Sequence, residues 1–358
     1  MEDLKFDLND IVLIPSEGSN VNTRSECNIN NEFNFFPYLP LMAAPMDTVV
    51  CEKNYMKYLD NGIIPCLPRG FESAHLTQSP HYFQSFGLAD VENSLSQYKE
   101  DPRSKLYDPH AFYNYPNVLI DIANGHMSKL VGLVKDVKER WPQMILMVGN
   151  VANPETFANL GMAGADFVRC SIGTGAGCTT AANVAINYPI GSLISECREQ
   201  KVKLGLKTGI VADGGMKNYS DIIKALALGA DFVMIGSLFN KAMESSGFNY
   251  WKTKFGMIRI KNYSLAERMW RNDYSIYKKY RGMSTKAVQR KWGKTKLVTA
   301  EGITKYQKVE YSLSHWKENF NDYLKSAMSY CNAKKLGDFV GYAQYVFITE
   351  SARRRFDK

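Results

Sequence analysis

Residues 117–150 read NVLIDIANGHMSKLVGLVKDVKERWPQMILMVGN in one-letter code. Asn117–Ile122 is an apolar run suited to a buried parallel strand, Ser128–Arg140 spaces its apolar residues at helical period, and Met144–Asn150 is a second apolar run. Strand, helix and strand in so short a span predict a parallel pair joined by a crossover helix. Toward the C-terminus the rhythm continues with a helix over Pro154–Ala163, strands at Phe167–Ser171 and Gly209–Ala212, a helix over Tyr219–Leu228 and a strand at Phe232–Ile235. Toward the N-terminus, Leu39–Ala43, Ile63–Leu67 and Tyr82–Leu88 read as three more strands. An open, doubly wound sheet can be built from this pattern, but eight strand–helix units favour an α/β fold of the closed (β/α)8 barrel type, a single domain with an inserted flap.

The rest of the chain fits around that barrel. It has 358 residues, 45% hydrophobic and 22% charged, which is ordinary globular composition and excludes a mostly disordered protein. No run approaches the ~20 apolar residues of a membrane span, and the acidic opening MEDLKFDLND does not read as a secretion signal, so a cytoplasmic location is expected. The cysteines (Cys27, Cys51, Cys66, Cys170, Cys178, Cys197 and Cys331) are odd in number, scattered and without a CxxC pair, which points to reduced thiols. The formal charge of +8 suits an anionic ligand such as a nucleotide. Lys252–Lys296 interleaves Lys and Arg with aromatic residues, whereas 141–247 is apolar, small and Gly-rich. The expected organisation is therefore a barrel over 1–247, an inserted basic and aromatic segment with a flap over 248–302, and closing helices over 303–358, near Leu313–Ala333.

Functional groups on such a barrel belong just after the carboxyl ends of its strands. The sharpest feature there is Ser171-Ile172-Gly173-Thr174-Gly175-Ala176-Gly177-Cys178-Thr179-Thr180. Its glycines leave backbone groups uncovered, and a thiol at a helix entrance is placed where N–H groups favour the nucleophilic anion; alternatively Cys178 is a small turn residue. Asp213-Gly214-Gly215 and Gly236-Ser237 follow successive strands and pair open amides with a carboxylate, a suitable grip for phosphate and ribose. Asp121 either orients a ligand or caps the next helix. His126 reads as a helix-start residue, Glu301 before Gly302 as a turn residue, and Asp47 as equally compatible with a structural role.

Together these fragments resemble the inosine monophosphate (IMP) dehydrogenase and guanosine monophosphate (GMP) reductase family. The matches are Ala44-Pro45-Met46-Asp47-Thr48-Val49, Asp121 to His126, Gly149-Asn150-Val151, Ile172 to Thr180, Gly164-Ala165-Asp166, Asp213-Gly214-Gly215, Gly229-Ala230-Asp231 and Tyr280-Arg281-Gly282-Met283-Ser284. Three features resemble the reductase branch: no room for a regulatory module after the early strands, Ala123-Asn124-Gly125-His126 after the fourth strand, and Ala300-Glu301-Gly302 where dehydrogenases carry an Arg-Tyr pair and then Gln-Gly.

The resemblance implies a purine nucleoside monophosphate substrate and a covalent Cys178 adduct, with Thr180 and Glu301 handling the proton of the departing ammonia. It assigns Asp213, Gly214, Gly215, Gly236, Ser237, Gly282, Met283, Ser284 and Glu301 to the nucleotide. It assigns Thr23, Arg24, Arg69, Asp121, Ile122, Ala123, Ile172 and Gly173 to NADPH or NADH. The carbonyls of Gly173, Gly175 and Cys178 would hold a monovalent cation such as K+, and the assembly would be a homotetramer.

The chain also departs from that pattern. Its loop reads Gly-Thr-Gly-Ala-Gly-Cys where relatives have Gly-Pro-Gly-Ser-x-Cys, Ala181 stands for an Arg, and Val298 stands where reductases keep an Arg near the cofactor. Residues 248–279 are longer and more aromatic than the usual linker. An oxidising IMP dehydrogenase and a non-catalytic nucleotide- or RNA-binding barrel are the competing readings. Retention of Cys178, Thr180 and Glu301 speaks against the second, and nucleic acid is not expected as a partner.

Overall fold

The computed structural model describes residues 4–31, 37–70, 80–100, 112–291, 299 and 302–355. Eight parallel strands close into a barrel in sequence order: β1 Leu41–Ala43, β2 Ile64–Leu67, β3 Phe83–Phe86, β4 Asn117–Asp121, β5 Ile145–Val151, β6 Phe167–Cys170, β7 Gly209–Asp213 and β8 Phe232–Ile235, which returns to β1. All eight apolar runs are thus strands. The helices Ser128–Arg140 and Tyr219–Leu228 have the predicted bounds, and Pro154–Met162 ends one residue short. Leu88 starts the helix Leu88–Glu100 instead of ending β3, because the Asp90 carboxylate accepts the Gly87 N–H (2.8 Å) and turns the chain there.

Side-chain parity fills the barrel. Phe83, Phe167 and Phe232 point inward and meet edge to face, with centroids 6.0 Å and 5.6 Å apart. Gly209 makes this layer possible: a Cβ there would lie 2.4 Å from the Phe167 ring. The repeated Gly-Ala-Asp triplets act at the amino ends of the strands. Asp166 accepts the Leu146 N–H (2.7 Å) and Lys138 Nζ (2.8 Å), and Asp231 accepts the Ile210 N–H (2.7 Å) and Lys201 Nζ (2.8 Å). Each aspartate ties the start of its own strand to the preceding one and fixes the register.

The insert is a four-stranded antiparallel sheet of β9 Asn249–Thr253, β10 Gly256–Ile260, β11 Ile276–Arg281 and β12 Thr304–Lys308, in the order β10-β9-β11-β12. A helix, Tyr263–Arg271, packs on one face through Met243, Ala266, Ile276 and Val309. The inserted unit therefore runs to Lys308, beyond the boundary expected at residue 302. Thr304–Lys308 carries no apolar run to mark it, since only alternate residues are sheltered. Nor is 303–358 helical throughout: Tyr345–Phe347 pairs antiparallel with Ile11–Leu13, while Leu313–Tyr330 forms the expected long helix.

Lys278 on β11 is wholly buried, with its ammonium donating to the Ser245 carbonyl (2.8 Å). Burial lowers its pKa from 10.5 to about 7, with Glu244 opposing the shift and Lys57 adding to it. Between those values the unfolded chain holds a proton that the folded chain gives up, so this group makes stability rise with pH from about 7 to about 10.5. Lys278→Met is expected to flatten that rise and to be more stable than wild type near neutral pH by roughly 1–3 kcal/mol, as read from denaturant melts at two pH values.

Candidate active site

The carboxyl ends of the strands open into one cavity of about 540 Å³, walled by the loops after β1, β4, β6, β7 and β8 and by Tyr280 and Gly282–Ser284 from the insert. Its floor is ionic. The parity that turns Phe167, Leu119 and Val211 inward also turns Arg169, Asp121 and Asp213 inward, one layer higher. Arg169 donates to Asp121 Oδ1 and to Asp213 Oδ2, both at 2.7 Å, and Asn150 Nδ2 donates to Asp213 Oδ2 at 2.7 Å. Burial works against the guanidinium charge, but Asp213 and Asp121 outweigh it and hold Arg169 protonated more firmly than usual. Gly149, opposite Arg169 in the ladder, leaves room for it, since a Cβ there would fall 2.6 Å from Arg169 Cβ.

The cysteine loop arches over this floor. Thr174 Oγ1 donates to the Asp213 carbonyl (3.3 Å) and lies 2.7 Å from Ser171 Oγ, while the Cys178 N–H closes onto the Gly175 carbonyl (2.8 Å). The Cys178 thiol donates to Thr180 Oγ1 (3.2 Å), and the Thr180 N–H donates back to Sγ (3.5 Å). The helix expected after the cysteine is a short one, Thr180–Val184. Gly177 and Gly282 pack so closely that a Cβ on Gly282 would sit 2.5 Å from the Gly177 carbonyl. The Ile303 N–H donates to that carbonyl (3.0 Å), and Gly302 forms a bridge with Cys178. Tyr280 lies beneath, buried, donating to Met46 Sδ (3.7 Å); burial, then Asp213 and Cys178, push its phenol pKa up.

The cavity brings together most of the residues singled out from the sequence. Asp213, Gly214, Gly215, Gly236 and Ser237 line it with Gly282, Met283 and Ser284. Arg69, Asp121, Ile122, Ala123, Ile172 and Gly173 line it with Gly175, Cys178 and Thr180. Thr23 and Arg24 lie elsewhere, with Arg24 donating to Asp322 on the long C-terminal helix (3.2 Å). Glu301 and Val298 fall outside the described residues. His126 is a loop anchor, accepting the Ala152 N–H on Nε2 (3.0 Å), and Asp47 pairs with Arg281. Sequence reasoning missed Arg169 as a site residue, and it quoted Asn150 and Tyr280 within the matching motifs without giving either a role of its own. A lone Arg at an inward position of the apolar strand Phe-Val-Arg-Cys was a usable signal, because arginine is rarely buried unpaired.

A parallel barrel with a cysteine loop, an ion-paired floor and open glycine loops gathered at one mouth has the architecture of a barrel enzyme. The IMP dehydrogenase / GMP reductase domain model matches residues 114–356, and the chain belongs to that family. It is 29% identical over 371 residues to GMP reductase 2 of Mus musculus, covering 99% of this chain and 97% of that protein. It is 28% identical to GMP reductase 2 of Homo sapiens (99% and 98% covered) and 26% identical to GMP reductase of Klebsiella pneumoniae (99% and 98% covered).

Arg169→Met would leave two carboxylates, each 15% exposed, facing one another without their cation. It is expected to cost about 3–5 kcal/mol in a denaturant melt, well above the effect of an exposed-pair change such as Arg24→Met.

Proposed function

We propose that this chain catalyses the reductive deamination of GMP, or a close variant such as dGMP, to the corresponding inosine nucleotide and ammonia, through a covalent bond to Cys178. The reading rests on one observation above all: the Cys178 thiol, Thr180 and the Asp213 and Ser237 loops share a single cavity. Asp213, Gly214 and Gly215 with Gly236 and Ser237 would hold the ribose and phosphate, using a carboxylate for hydroxyls and uncovered amides for the anion. Arg169 and Asn150 fix the Asp213 carboxylate beforehand, so little reorganisation is left for binding.

With the purine so placed, the Cys178 thiolate adds to carbon 2 and forms a carbon–sulfur bond. The amino group, once protonated, leaves as ammonia and carries away the electron pair of the broken carbon–nitrogen bond, giving a thioimidate. The Thr180 hydroxyl, 3.2 Å from sulfur, is positioned to pass that proton. Glu301, next in sequence to the Gly302 that bridges to Cys178, would set the protonation of Thr180. NADPH or NADH, when bound, would supply the hydride that takes the place of sulfur at carbon 2, releasing the Cys178 thiolate. Ile122, Ala123 and Ile172 offer an apolar shelf for a flat ring and Arg69 a cation at its edge, so these residues fit the dinucleotide. The carbonyls of Gly173, Gly175 and Cys178 fit a monovalent cation such as K+, the Gly175 carbonyl keeping one lone pair beyond the Cys178 N–H. A cytoplasmic homotetramer belongs to the same reading.

Purified protein is expected to oxidise NADPH or NADH when GMP is supplied, seen as falling nicotinamide absorbance. Formation of NADH from IMP in its place would overturn the assignment. Cys178→Ala is expected to lower turnover by about 10³-fold or more while nucleotide affinity, measured by calorimetry, stays within roughly threefold, because the phosphate and ribose contacts lie on other strands.

A further inference from the structure

The insert sheet has two faces with different occupants. One is covered by the helix Tyr263–Arg271 and the barrel; on the other, Lys252, Arg259, Tyr306 and Lys308 are exposed and Tyr250, Tyr277 and Lys279 half-buried. Its composition follows from the register. Tyr250 lies opposite both Arg259 and Tyr277, Tyr277 opposite Lys308, and Lys279 opposite Tyr306. Side-chain contacts agree: the Tyr250 and Tyr306 rings meet edge to face at 4.9 Å, and Lys252 Nζ sits 5.7 Å from the Tyr277 ring centre. Three phenol rings therefore cluster on an open sheet, ringed by the cations Lys252, Arg259, Lys279 and Lys308. No Asp or Glu occurs in any of the four strands. The carboxylate just beyond β12, Glu310, is already paired with Lys241 (3.0 Å).

We propose that this face binds single-stranded nucleic acid, with the tyrosine rings stacking on bases and the four cations taking backbone phosphates. A positive surface around aromatic platforms is what such binding requires, and an open four-stranded sheet presents its alternate side chains at the right pitch. A second copy of the chain meeting this face about a two-fold axis would set like charge against like charge. A lipid surface would draw on the hairpin tip at Phe255, which is fully exposed, rather than on rings at the centre of the sheet. The activity proposed above does not depend on this face, so each claim stands or falls separately.

Fluorescence anisotropy of the full chain with fluorescein-labelled oligouridylate and oligothymidylate of about 20 nucleotides tests the proposal, the two probes separating RNA from DNA. Saturable binding is expected at about 50 mM salt, weakening at least tenfold by about 200 mM. Lys252→Glu combined with Lys308→Glu should weaken it about tenfold or more, and Tyr250→Ala with Tyr277→Ala by roughly 5–100-fold, each variant checked for folding by circular dichroism. If the doubly charged change unfolds the chain, Lys252→Gln with Lys308→Gln replaces it, with a several-fold weakening expected. Absence of binding by wild type, equal binding by the folded charge variants, or equal binding by the tyrosine variants would overturn the proposal. So would tighter binding to phosphatidylserine vesicles than to either oligonucleotide.

Discussion

Arg169 carries its charge inside the barrel with only 7% of its side chain exposed, and the mouth is arranged about that fact. A buried guanidinium needs countercharges, and its two terminal nitrogens donate to Asp121 from β4 and Asp213 from β7. The two carboxylates would repel one another across the same space without it. The triad therefore links strands at three positions around the ring, and Asn150, just beyond the Arg169–Gly149 pairing, adds a fourth attachment through Asp213. Because Asp213 begins the Asp-Gly-Gly loop, the placement of that loop is inherited from the ion pairs beneath it. Removing side chains at Gly149 and Gly209 is the steric condition for both inner layers, one ionic and one aromatic.

The cysteine loop depends on the same floor at one remove. Its near limb is tied to Asp213 by Thr174, and its far limb to the insert by the Gly177 carbonyl. Only small residues allow this: Gly214, at φ +78°, would bring a Cβ within 3.2 Å of Gly175 Cα, and Gly282 has no space against Gly177. A thiol held between a barrel strand and a returning insert strand is placed by two independent elements, which narrows its range of positions more than either could alone.

The barrel was legible because its strands are buried on both faces and so read as short apolar runs, most of them from β3 onward separated from the next by an amphipathic helix. The loops at the mouth were legible because glycine and aspartate in such clusters are rare inside packed elements. Arg169 was legible only in part: one charged residue in Phe-Val-Arg-Cys signals a buried pairing but not that its partners lie 44 and 48 positions away in sequence. The insert sheet was read as a basic, aromatic segment and not as strands. Its outward positions are polar or aromatic and even an inward one, Lys278, is charged, so the alternation that marks a half-buried strand is blurred. Thr23 and Arg24, assigned to the cofactor by resemblance, sit beside the C-terminal helix in this chain, a placement that depends on long-range packing and leaves no local trace.

β11 joins the two surfaces of the molecule. Its even-numbered residues, Lys278 and Tyr280, face inward, and Tyr280 passes directly into the wall of the cavity beneath Gly177 and beside Gly236. Its odd-numbered residues, Tyr277 and Lys279, face outward among the exposed rings and cations, and Arg281 closes the strand by pairing with Asp47 after β1. A strand pinned at its end by an ion pair and along its length by a buried lysine transmits displacement poorly, so an occupant of the outer face alters the mouth only to the extent that it moves β11 against those anchors. Any such effect would be reciprocal by thermodynamic linkage. The arrangement thus sets the cysteine loop on the anchored side of a shared strand and the charged, aromatic surface on its solvent side.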